Sequence, residues 1–291
     1  MNTIASVKET YLKKMTNANR SPQTIKTYKN QINGFNSFVQ AKYNIPLDII
    51  DIKVDDVEEY IYELKNNQLW KTNSINLVIS TLNGFFKYAE KKKFVNQNIM
   101  DEVEQFRKET VEKDFLTEEE MTELIKHVNQ PLVKLIVTTL AYTGLRISEC
   151  LNLRLDNVDF DKHTIYVIEG KGGKNREVPM PKKLEVMLKL YTDTERPEVS
   201  TNYFFALKKT GSISQQYVNR ELKEATERAG IPKNVSAHTL RHSYASALVR
   251  KGTNLPTVAK LLGHADFRTV TSVYVHLADD ELSSAVSQLS I

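Results

Sequence analysis

The sequence predicts a mainly α-helical protein with a small antiparallel β-sheet, folded as an N-terminal helical domain followed by an α+β domain. Three observations predict this. Apolar residues recur three and four positions apart along most of the chain, the period of a helix with one buried face. Strand-forming residues gather in a single stretch, residues 163–180, broken by a glycine-rich turn. The length, 291 residues with 41% apolar and 26% charged, gives each of two domains enough material for a core of its own.

The first domain, residues 1–107, reads as a small helical bundle. Ile4, Val7, Tyr11, Leu12 and Met15 set the first helix. Ser21 followed by Pro22 signals an N-cap and a first-turn proline, and Ile25, Tyr28, Ile32, Phe35 and Val39 then form one face. A third helix is expected from Val57 to Leu64, capped by Asp55 or Asp56. A fourth runs from about Asn73 to Lys91, with Ile75, Val78, Leu82, Phe85, Phe86 and Tyr88 inside. Residues 101–114 are charged and weakly patterned, and the interdomain linker is placed at 108–116.

The second domain, residues 117–291, opens with Thr117 and Glu120, the pattern of a capping box. An apolar helix from Leu132 to Tyr142 ends in a turn at Gly144. Thr164 to Ile168 read as a strand, Gly170 to Asn175 as a turn, and Arg176 to Pro179 as a short return strand. From Ser214 the chain is expected to be helical to its end, where Leu277, Leu282, Val286 and Leu289 mark a short last helix.

The net charge of +4 leans toward an anionic partner without proving one. The single cysteine, Cys150, excludes an intrachain disulfide and fits a reducing cytosol. Among Ile147, Leu151 and Leu153 it reads as a buried structural thiol. The first residues carry no apolar signal core, and no apolar run approaches the roughly 18 residues of a membrane span. A cytoplasmic protein with no membrane partner is expected.

Several polar residues stand where a purely structural role gives them little to do. Arg146 opens a helix after Gly144, where backbone amides and a guanidinium favour a phosphate, although a surface pair with Glu149 would look the same. The run from Glu169 to Arg176 alternates glycines with Lys171, Lys174 and Arg176 on one tight turn. It is not a Walker phosphate loop, because Ile168 and Asn175 occupy positions where that motif needs Gly and Ser or Thr. It reads either as solvated lysines or as a cation delivered to a backbone phosphate. His238 and Arg241 lie three apart on one helical face. His238 and His242 have the spacing of a zinc pair, but no metalloprotease glutamate or further ligand cluster accompanies them, so no metal is expected. His264 ends an apolar helix, and Tyr274 follows ten residues later in Val273-Tyr274-Val275-His276.

Each of these signals is ordinary alone, but their order and spacing are not. Thr-Gly-Leu-Arg146, Gly-Lys171-Gly, His238-Thr-Leu-Arg241-His, Leu-Leu-Gly-His264 and Tyr274-Val-His resemble the signature of the tyrosine recombinase (phage integrase) family. The resemblance covers the whole chain, is strong from about residue 117, and is architectural in the first half. It is greatest to short Xer-type and transposon-borne site-specific recombinases. One departure stands out. The family's usual step from the last histidine to the tyrosine is nine residues, which lands on Val273. Valine cannot be a nucleophile, so Tyr274 is assigned, with an extra residue inferred around Arg268 to Thr271.

The resemblance implies a core-binding clamp followed by a catalytic domain. Arg146 and Arg241 would hold the phosphate, His238 and His264 would donate hydrogen bonds, Tyr274 would attack and Lys171 would protonate the leaving oxygen. Glu149 would orient its neighbours. Arg20, Lys26, Lys29 and Lys71 in the first domain, with Lys174 and Arg176 in the second, are the candidate DNA contacts. The implied partners are double-stranded DNA recombination sites and three further copies in a homo-tetramer, alone or with a related recombinase or accessory protein. No cofactor is implied. A type IB topoisomerase-like enzyme and an inactive DNA-binding regulator are the alternatives. The resemblance implies that the last helix docks on a neighbouring copy, the alternative being that it caps its own domain.

Overall fold

The computed structural model describes residues 2–107, 114–168 and 175–263. The chain divides into two compact units, Met1–Val111 and Glu112–Ile291. It is mainly helical with one small antiparallel sheet, as the sequence predicts.

The first unit holds α1 (Ile4–Asn17), α2 (Pro22–Tyr43), α3 (Val54–Tyr62) and α4 (Thr72–Lys91). Short polar side chains start the first two. Thr3 Oγ1 accepts from the Ser6 amide at 3.2 Å, and Ser21 Oγ from the Thr24 amide at 3.1 Å. Ile4, Ile32, Phe35, Val57, Ile75, Leu82, Phe85 and Phe86 from all four helices close the core. α3 begins three residues earlier than the sequence reading places it. Asp56 does cap it, but from inside the first turn, accepting from the Lys53 amide at 2.9 Å. Lys42 (2.8 Å) and Tyr43 (2.7 Å) from α2 hold the same buried carboxylate. Asn76 exchanges two hydrogen bonds with the Phe106 backbone, at 2.8 and 2.9 Å, so the weakly patterned stretch after α4 is anchored to this unit at least to Phe106.

In the second unit Leu116 is already buried, its amide donating to Ser243 Oγ at 2.8 Å. α5 (Glu118–Lys126) follows, with Thr117 and Glu120 forming the reciprocal capping box. Then come α6 (Pro131–Thr143), α7 (Ile147–Leu151), β1 (Val158–Asp159), β2 (Thr164–Val167) and β3 (Arg176–Pro179). The sheet order is β1-β2-β3, all antiparallel, with Ile165 opposite Val178 and Val167 opposite Arg176. α8 (Lys182–Leu190), which the sequence reading passed over, buries Leu184 and Leu188. α9 (Gln215–Arg228), α10 (Ala237–Arg250) and α11 (Leu255–Leu262) complete the described part. The short last helix expected around Leu277 to Leu289 lies outside the described residues. Among the described residues no helix is long and apolar enough to cross a membrane.

Gly144 ends α6 in the left-handed region, at φ 61°. A Cβ there would lie 2.3 Å from Tyr244 Cδ1 and 2.8 Å from Leu262 Cδ2, so α10 and α11 close over this glycine. Gly144→Ala is expected to cost about 1–2 kcal/mol for the backbone and about 1–3 kcal/mol for the overlap. Urea unfolding of the full chain checks this. A midpoint unchanged from the natural protein would show that the turn can relax freely.

Candidate active site

Four of the sequence-predicted residues meet where α6, α7, β3, α10 and α11 converge. Arg146 precedes α7, and its backbone amide donates to Glu149 Oε2 at 2.8 Å. Glu149 thus caps the helix it belongs to. The Arg146 side chain returns to the same carboxylate, Nη1 to Oε1 at 2.6 Å. Arg176, at the start of β3, approaches Glu149 with its fork, Nη1 to Oε1 at 3.1 Å and Nη2 to Oε2 at 2.7 Å. Arg241 Nη1 lies 3.9 Å from Glu149 Oε2. One carboxylate therefore serves three guanidiniums.

The electrostatics follow from that ratio. Burial pushes the Glu149 carboxyl up. The Arg176 guanidinium, the Arg146 amide and the Arg146 side chain outweigh it and hold the group at about 2. Burial and the nearby Arg146 pull Arg241 down to about 9, against Glu149, so it stays charged at neutral pH. Three cations and one anion leave two positive charges over, in a place where water screens them poorly. Uncompensated guanidiniums in such a place favour a nearby anion.

Arg241 is 3% exposed. It is anchored by backbone carbonyls: Nη1 donates to Gly144 O at 2.6 Å, and Nη2 to Leu262 O. Those bonds tie α10 to the ends of α6 and α11. His238, three residues earlier on the same helix, is exposed, its ring edge-on to His242 at 4.5 Å between centroids. Cys150 is buried beside Glu149, and burial pushes its thiol far up, which makes it inert. Among the described residues no group of three potential metal ligands is found.

Lys171, Lys174, His264 and Tyr274 lie outside the described residues. Arg20, Lys26, Lys29 and Lys71 are exposed on the first unit, around the starts of α2 and α4. Arg176 is the surprise. The sequence reading groups it with the surface DNA contacts, but its side chain is 9% exposed and turned onto Glu149. The signal was available, since Arg176 stands two residues before the buried Val178 and so shares the inward face of β3. Beside this group lies an apolar cleft of about 510 Å³, lined by Met121, Tyr142, Met180, Tyr244, Leu248 and Leu261, among others. None of the described sequence-predicted site residues lines it.

Comparison with known proteins covers both units. Residues 114–281 match the model of the phage integrase family, and residues 9–93 that of the phage integrase N-terminal SAM-like domain. The chain is 38% identical over 276 residues to a tyrosine recombinase of Thermosipho africanus, covering 92% of this chain and 94% of that one. Among solved structures it is similar to XerA recombinase, at a TM-score of 0.54 and 26% identity, covering 99% of both chains. It also shares its fold with a lambda integrase tetramer bound to a Holliday junction. There the TM-score is 0.75 and the identity 18%, over 91% of this chain and 78% of that one.

Proposed function

The chain belongs to the phage integrase (tyrosine recombinase) family, and from that premise we propose that it is a site-specific DNA recombinase working through a 3′-phosphotyrosine and a Holliday junction. The observation that carries this reading is the Arg146–Glu149–Arg176–Arg241 group, with two positive charges in excess. Attack on a phosphodiester builds negative charge on the nonbridging oxygens, and fixed guanidiniums stabilise it without reorganising. Arg146, whose side chain is 23% exposed, presents its fork to the phosphate. Arg241 supplies charge from beneath, and His238 and His264 donate hydrogen bonds. Tyr274 attacks phosphorus as His238 takes its phenolic proton, and Lys171 protonates the departing 5′ oxygen, so one hard step becomes two easier ones. One phosphodiester is exchanged for another, and no nucleotide is consumed.

Two sites are exchanged, which calls for four copies of the chain on paired duplexes. The exposed cations Arg20, Lys26, Lys29 and Lys71, with Lys174, extend the grip along the backbone. The experiment uses a duplex enriched by the chain from a random-sequence pool and nicked beside the cleavage position. A product in which protein is joined to a DNA 3′ phosphate is expected, and intact paired sites should yield exchanged strands. Plasmid relaxation at any sequence without exchange would instead indicate a topoisomerase-like enzyme. Tight binding with no covalent product would indicate a regulator.

A further inference from the structure

Arg176 spends its whole fork inward. Its two terminal nitrogens hold both oxygens of Glu149, at 3.1 and 2.7 Å, and its Nε donates to the Leu261 carbonyl at 2.9 Å. With 9% of the side chain exposed, it offers a DNA phosphate almost no surface. Arg146 differs, since it is 23% exposed and its side chain meets Glu149 through Nη1. The end of α11 is shaped around Arg176. Gly263 sits at φ 65°, and a Cβ there would lie 2.9 Å from both Cδ and Nη1 of Arg176. The preceding carbonyl, Leu262 O, is taken by Arg241. Two arginines that share one carboxylate thus hold two successive carbonyls in the last turn of α11.

We infer that Arg176 is a positioning residue for strand cleavage, tying the root of β3 and the end of α11 to the Glu149 carboxylate that orients Arg146. The inference rests on the reading of this site as a phosphodiester-cleaving one. Charge alone does not explain the arrangement, because the site already has cations in excess. What Arg176 adds is direction. A carboxylate held by a planar fork from one side has one orientation left for Arg146 on the other. A phosphate-binding fork displaced by about 1 Å can lower a rate by roughly a hundredfold.

The test compares Arg176→Gln and Arg176→Lys in the full chain, on the nicked duplex selected above. Single-turnover formation of the covalent product at saturating protein is expected to fall by roughly 10- to 100-fold for Arg176→Gln. Arg176→Lys, which keeps the charge but cannot span Glu149 and Leu261 together, should recover only part of that loss. Affinity should stay within about twofold, and the slope of log affinity against log salt should not change, because no phosphate contact is removed. In a Glu149→Gln background the further loss from Arg176→Gln should be small, since both changes break one linkage. A slope shallower by about 0.9 would make Arg176 a DNA contact after all. Full additivity with Glu149→Gln, or full activity of Arg176→Lys, would equally overturn the inference. Failure of the natural chain itself to form the covalent product would remove the underlying reading, a result separate from any variant's behaviour.

Discussion

Tyr274→Phe is expected to bind its DNA site as the natural chain does and to form no detectable covalent product, a fall of roughly 10⁴-fold or more. The substitution removes one oxygen and leaves Arg146, Arg176 and Arg241 in place around Glu149. Losing a nucleophile therefore separates chemistry from binding more cleanly than losing a cation. The assignment faces one local objection, the ten-residue step from His264 where nine is usual. It also faces one rival oxygen, that of Tyr244. The structure weakens the rival. Tyr244 is partly buried, burial raises its phenol above the usual range, and its ring lies against Gly144 and lines the apolar cleft. A phenol so placed is both less ionised and held by packing. A covalent product that persists in Tyr274→Phe and maps to Tyr244 by peptide mass would show that the chain's extra residue had moved the nucleophile.

Much of the fold was legible because its signals are local. Ser21-Pro22 and Thr117 with Glu120 start helices through bonds that span three residues, and such bonds form wherever the chain is helical. At the start of α3 the bond is as local, Asp56 accepting from the Lys53 amide, but the sequence offers Asp55 and Asp56 equally, and it is Lys42 and Tyr43 from the far end of α2 that hold Asp56. The pattern of α8 was there to be read: Leu184, Met187, Leu188 and Tyr191 stand at i, i+3, i+4 and i+7 and pack into the core of the second unit. The site divides the same way. Arg146 and Glu149 are three apart, and their pairing could be anticipated from a helix alone. The anchoring of Arg241 could not, because its acceptors are carbonyls of Gly144 and Leu262, 97 and 21 residues away. Arg176 lies between these cases. Strand alternation turns it inward, but only the assembled domain supplies the carboxylate that makes inward tolerable for a cation.

Glu149→Ala is expected to damage both stability and activity more than loss of any one arginine's contact. The carboxylate is shared by three guanidiniums, is 7% exposed and also caps α7. Removing it leaves three buried or half-buried cations facing one another. Breaking a buried pair from one side costs roughly 3–5 kcal/mol, which for a unit of this size lowers the melting temperature by roughly 10 °C. Glu149→Gln keeps an acceptor and the shape, so its loss should be smaller. The pH dependence separates charge from shape. Because Glu149 is held at about 2 in the folded chain, below its unfolded value, its ionic contribution is present above about pH 5. That contribution is lost as pH falls toward 2, so the stability gap between the natural chain and Glu149→Gln should narrow steadily over that range. Inorganic phosphate supplies the same logic from the other side. An anion that binds the uncompensated cations stabilises the folded state by mass action, and Glu149→Ala, with one more positive charge in excess, should gain more from it than the natural chain. A gap that does not change with pH, together with equal phosphate stabilisation of both proteins, would mean that Glu149 works by filling space, and the electrostatic account of this site would have to be abandoned.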